Sequence, residues 1–174
     1  LDLVPHRVTA YNNSGGNQTY SFIVAGDYTW TAGSSTGWDV ISPLVLNTSL
    51  SDADCNAAVS GPQTITPSGS GTGGADQTIY RLVTISHPDD LTCVYDYYER
   101  LSLGSADFSG SSLQSNLWNQ SLGSQGIGQK RVSIPVKDIL PQELDKTMVA
   151  TQDQSHAWAV TKTAPNKLQF DNTC

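Results

Sequence analysis

The sequence predicts an all-β chain: an antiparallel β-sandwich, or a jelly-roll-like variant of one, forming a single domain over 1–174 with long Gly/Ser-rich loops and one or two short helices. Three observations carry this expectation. Apolar and polar residues alternate at period two in many short runs, clusters of Gly, Asn, Asp, Ser and Pro separate the runs, and helical periodicity is scarce. At 174 residues the chain has the length of one ordinary domain, enough to bury about 68–70% of its unfolded surface.

The first run, 3–10, ends at the turn cluster Asn12-Asn13-Ser14-Gly15-Gly16. The second, 18–25, places Tyr20, Phe22 and Val24 on one face and Thr19, Ser21 and Ile23 on the other, so the two read as a hairpin. Gly26-Asp27 reads as a turn, 28–31 as a short strand, 32–37 as a loop, and 38–46 as a strand weakened by Pro43. Ser51 is placed to cap a brief helix over 52–59 that carries Cys55. The stretch from about 60 to 76 is nearly all Gly, Ser, Thr and Pro and reads as a flexible loop within one domain.

A second hairpin follows, with 78–86 and 92–103 as its arms and His87-Pro88-Asp89-Asp90 as its turn. Ile79, Val83 and Ile85 share a face in the first arm; Cys93, Tyr95, Tyr97, Leu101 and Leu103 share one in the second, which makes this hairpin the expected centre of the sheet. Leu113, Leu117, Trp118 and Leu122 recur near helical spacing and permit a short amphipathic helix. The rest reads as a strand over 132–136, a connection with one helical turn over 137–145, and strands at 147–151, 156–162 and 167–171.

Charged residues make up 14% of the chain, against about 25% in an ordinary soluble domain, which points away from a typical cytosolic enzyme. The net charge is -7 and the nine Lys and Arg are scattered, which disfavours nucleic acid as a partner. No apolar run is long enough for membrane insertion. There is no signal-peptide pattern, and the start at Leu1 fits a processing cut or a chosen boundary. The three cysteines, Cys55, Cys93 and Cys174, lack metal or redox spacing; a Cys55–Cys93 bridge is the first choice, leaving Cys174 to tie down the C-terminus or to link another chain. Asn12, Asn17, Asn47 and Asn119 head glycosylation sequons. Together these suggest a secreted or particle-surface glycoprotein in an oxidising, extracellular setting.

Signals for chemistry are sparse. His6, His87 and His156 are isolated and form no metal motif; His87 reads as a solvated turn residue and His156 as a strand-edge side chain. No nucleophile elbow or phosphate loop is present, so no cofactor is expected. Glu99 reads as an exposed strand charge offset by Arg100 or Arg81, and only secondarily as the acid of a small glycan hydrolase working with an Asp. Asp52/Asp54 and Asp89/Asp90 lack a calcium-loop pattern and read as surface charge. Trp30, Trp38, Tyr95 and Tyr97 are the candidate sugar platforms, although a sandwich core needs the same rings and that reading leads.

The expected function is a non-catalytic extracellular structural or surface protein. It would be the subunit of a coat, filament or similar assembly, including a virion coat, built by β-strand contacts. Its main partner would be itself, with 1–10 as a candidate exchange strand. A carbohydrate-binding module or lectin using the exposed rings is the alternative, and the glycan hydrolase is a third possibility.

Overall fold

A computed structural model describes residues 2–30, 34–67, 76–120, 122 and 130–140. The chain divides after Gln142, and all described residues belong to the first unit, Leu1–Gln142. The strands expected at 147–151, 156–162 and 167–171, together with His156 and Cys174, lie outside the described residues.

Among the described residues, ten strands form two antiparallel sheets, as the alternating pattern requires. They are β1 (Leu3–Tyr11), β2 (Gln18–Thr29), β3 (Trp38–Ile41), β4 (Val45–Leu46), β5 (Val59–Ser60), β6 (Thr64–Pro67), β7 (Gln77–His87), β8 (Thr92–Leu101), β9 (Ser112–Asn119) and β10 (Lys130–Pro135). One sheet has the order β1-β8-β3, with β4 also on β8; the other has the order β10-β9-β2-β7-β5, with β6 also on β7. Their inner faces meet in one core, where Trp38, Ile41, Tyr95 and Tyr97 of the first sheet pack against Phe22, Val24, Ile79, Val83, Ile85 and Leu113 of the second. The expected sandwich is the observed one.

Both expected hairpins are corners instead. β1 pairs with β8 and β2 with β7, so the chain changes sheets between β1 and β2 and again between β7 and β8. The two corners are stitched to each other: Asn12 Nδ2 donates to the carbonyls of Gly16, His87 and Pro88, Asp90 N donates to Asn12 O, and Asp89 N donates to Asn17 Oδ1. Gly15 (φ 83°) and Asp90 (φ 57°) take the left-handed conformation that such tight reversals demand. His87 is therefore not a solvated turn residue. It is fully enclosed, with Nδ1 bonded to the Tyr20 hydroxyl at 2.9 Å and Nε2 to Leu91 O at 2.9 Å.

Gly26-Asp27 does not turn the chain; β2 runs through to Thr29 with a register shift between Asp27 and Thr29. The glycine is there because Trp38 packs onto the strand, and a Cβ at Gly26 would lie 2.7 Å from Trp38 Cδ1. Pro43 does break its strand, separating β3 from β4. Part of the stretch expected to be a loop, Thr64–Pro67, is β6 on the edge of β7.

The helix expected over 52–59 is absent. Instead of capping a helix, Ser51 Oγ and Asp52 Oδ2 accept from the Val94 and Thr92 amides of β8. This segment positions Cys55 for its disulfide with Cys93, across a Cα–Cα distance of 5.7 Å. The helix expected around 113–122 is largely β9, because a spacing of four between Leu113 and Leu117 fits the strand period as well as the helical one. Helical structure among the described residues is confined to two 3-10 turns, Ser105–Asp107 and Val136–Asp138.

Candidate functional site

Between the two sheets, on the side bounded by β1 and β10, lies an open cleft of about 950 Å³. Its walls come from β1 (Val4 to Tyr11), β2 (Tyr20, Ser21, Phe22), β9 (Ser115, Asn116, Leu117, Asn119) and β10 (Arg131, Val132, Ile134), with Tyr97 of β8 in the floor. On β1 the side chains of Val4, His6, Val8 and Ala10 point inward, yet all remain only partly buried. Residues of both parities on β1 line the cleft, so the strand's own backbone edge forms part of the wall.

The hydrogen-bond parity identifies which backbone groups that edge offers. At the two ends of the β1–β8 ladder, Leu101 N donates to Asp2 O and Asn12 N donates to Leu91 O. In an antiparallel pair, residues alternate between bonding their neighbour and facing away. Even-numbered residues of β1 therefore bond β8, and Leu3, Pro5, Arg7, Thr9 and Tyr11 direct their backbone groups to the free edge. The odd position of Pro5 agrees, since proline has no N–H to give to β8. The other side of β8 agrees as well: Ser42 N and Asn47 N bond the carbonyls of even-numbered Tyr98 and Val94. Among the described residues, no strand pairs with the free edge of β1 or of β10.

Behind the floor sits a buried polar cluster. Glu99 is fully buried and points inward with Cys93, Tyr95 and Tyr97, the same parity on β8. Ser115 Oγ donates to Glu99 Oε2, and His6 Nε2 lies 3.6 Å from the same oxygen. His6 stacks on Tyr97 at 5.0 Å and meets the edge of Trp38 at 6.1 Å. Glu99 Oε1, His6 Nε2 and Trp38 Nε1 are buried with no hydrogen-bond partner among the described residues.

Burial dominates the protonation of this cluster. It raises Glu99 to about 8, against the Ser115 hydrogen bond and with help from the nearby Asp27 charge. It raises Asp27 to about 6, opposed by the Gln114 amide, which donates to Asp27 Oδ2 at 2.9 Å. It lowers His6 below its usual 6.5. At pH 7 Glu99 is thus a neutral acid beside a neutral imidazole, which is how a core tolerates both groups.

Glu99 is not an exposed charge and neither arginine offsets it: Arg100 forms a two-point pair with Asp39 at 2.8 and 3.1 Å, and Arg81 donates to the carbonyls of Ile41 and Gly61. Trp38 and Tyr95 are fully enclosed and Tyr97 is 5% exposed, so these rings are core rather than surface sugar platforms. Trp30 alone of the four is substantially exposed, at 49%. Of the sequons, Asn12 is buried and its amide nitrogen serves three carbonyls, while the half-buried Asn47 donates from Nδ2 to Asp96 at 2.7 Å. Asn17 and Asn119 have exposed side chains.

His6 was singled out by no motif, and only its pairing with β8 brings it to Glu99. The burial of Glu99 was legible: counting by two from Cys93 through Tyr95 and Tyr97 reaches it. Compared with known proteins, the chain matches no model of a protein family, no curated protein and no solved structure.

Proposed function

We propose that this chain is a non-catalytic extracellular surface protein, the subunit of a coat, filament or similar assembly built by β-strand contacts with copies of itself. The observation that supports it is the free backbone edge of β1 running along an apolar cleft, the arrangement that β-strand addition uses. The main-chain groups of Arg7, Thr9 and Tyr11 supply hydrogen bonds, and the half-buried Val8, Ala10 and Ile134 supply apolar surface still to be covered. The Cys55–Cys93 disulfide fits an oxidising compartment. Native mass by size-exclusion chromatography with light scattering, with and without reductant, tests the reading. A uniform assembly larger than the 18.6 kDa chain supports it. A monomer at every concentration removes it.

The carbohydrate-binding reading retains only Trp30 of its exposed rings. The hydrolase reading has one observation in its favour, an acid kept protonated near neutral pH beside a cleft. Glu99 has no exposed surface, however, so a substrate would meet His6, Ser115 and Tyr97 first. Abolition of glycan cleavage in Glu99→Gln with the fold intact is the result that would revive it.

A further inference from the structure

We propose that two copies of this chain associate through β1, edge to edge and antiparallel, with the two-fold axis passing beside Thr9. This rests on the assembly reading above and names its interface. Of the residues that direct backbone groups to the free edge, Pro5 lacks an N–H and interrupts any ladder laid against it. The proline-free run that remains, Arg7–Tyr11, is symmetric about Thr9. A two-fold pairing that uses all of its free groups therefore sets Thr9 opposite Thr9 and Arg7 opposite Tyr11 in both directions. On the order of six backbone hydrogen bonds result, two for each such pair.

Three features favour a second copy as the occupant. Within each copy Asp96 already holds Arg7 in a two-point pair at 2.7 and 3.1 Å; the register keeps these two ion pairs apart and lays each Arg7 guanidinium beside the Tyr11 ring of the other copy, a cation against an aromatic face. Residues opposite one another in an antiparallel pair project to the same face, so Val8 of each copy lies across from Ala10 of the other on the inner side. Both clefts then open toward the same junction, and each copy's half-covered apolar wall meets the other's. The contact is isologous, closing as a dimer that can serve as the unit of a larger assembly.

The test uses the full chain. Thr9→Pro removes the central donor on both copies while sparing the β8 ladder, so it should convert the associated species to monomer in light scattering with the melting profile of the chain retained. Leu3→Pro, on the same edge but outside the ladder, should leave association unchanged. The register is read separately in a Cys174→Ser background under mild oxidation. Thr9→Cys should give a covalent dimer, because directly paired Cα atoms lie about 5.5 Å apart, within disulfide reach, and Arg7→Cys should not. An assembly that survives Thr9→Pro overturns this interface and leaves the assembly reading standing. Cross-linking through Arg7→Cys overturns the register, and a wild-type chain that is monomeric throughout overturns both.

Discussion

Along β7, β8 and β3 the inward side chains Ile79, Val83, Ile85, Tyr95 and Trp38 are fully enclosed, whereas along β1 and β10 the inward Val4, Val8, Ala10 and Ile134 are only partly buried and Val132 is 58% exposed. The residue types are alike. Ile79, Val83, Ile85 and Tyr95 lie on β7 and β8, which have neighbours on both sides, and Trp38, though on the edge strand β3, is covered by β2 at Gly26 and by the His6 ring; among the described residues β1 and β10 have a neighbour on one side only. Burial here follows what covers each position more than the hydrophobicity of the residue itself, and the open side leaves apolar surface that a partner could cover.

The strongest way to sharpen this contrast is Trp38→Ala on the sealed side, which should cost about 3–5 kcal/mol in urea unfolding. Removing the disulfide with Cys55→Ser and Cys93→Ser should cost about 3–4 kcal/mol, since the bridge closes a loop spanning 38 positions. A loss near zero would show that the closed loop contributes little to the sealed side.

The cluster between the two sides gives a pH signature. Glu99 is raised from 4.5 to about 8 and Asp27 from 3.8 to about 6, so the folded state holds their protons more tightly than the unfolded chain does. Their contribution is complete below about pH 4 and is lost as pH rises toward 8. His6, lowered by burial, works the other way: its contribution is present above 6.5 and is lost as pH falls through its folded-state value. The urea midpoint should therefore decline between pH 6.5 and 8, and Glu99→Gln, which keeps an acceptor for Ser115, should flatten that decline. A slope unchanged in the variant would place the titrating group elsewhere.

The smallest effect belongs to the open side. Val8→Ala, measured at low protein concentration, should cost about 1 kcal/mol or less, because the side chain is only partly withdrawn from water. A cost matching that of an enclosed valine such as Val83 would mean that the cleft is already filled in solution and would break the contrast between the two sides.

The sandwich, the faces of β2, β7 and β8, and the Cys55–Cys93 bridge could be read in the sequence because each depends on local alternation or on simple pairing. Local signals misled wherever two structures share a pattern. Leu113 and Leu117 fit strand and helix equally well, and Ser51-Asp52 offers hydrogen bonds to a neighbouring strand as readily as to a helix terminus. The turn residues at 12–16 and 88–90 mark a reversal without saying whether the chain returns in the same sheet or crosses to the other.

By itself, then, the sequence carried the period-two pattern that fixes the side on which each side chain emerges from a strand; the charge of Glu99 argued for the outer face, and the structure followed the period instead. Only the tertiary structure decided which strands are neighbours. It set His6 beside Glu99, sealed one side of the sandwich and, among the described residues, left the outer edge of β1 without a strand partner. Strand partners are chosen by hydrogen bonds and packing between segments as far apart as β1 and β8, and no local pattern carries that information.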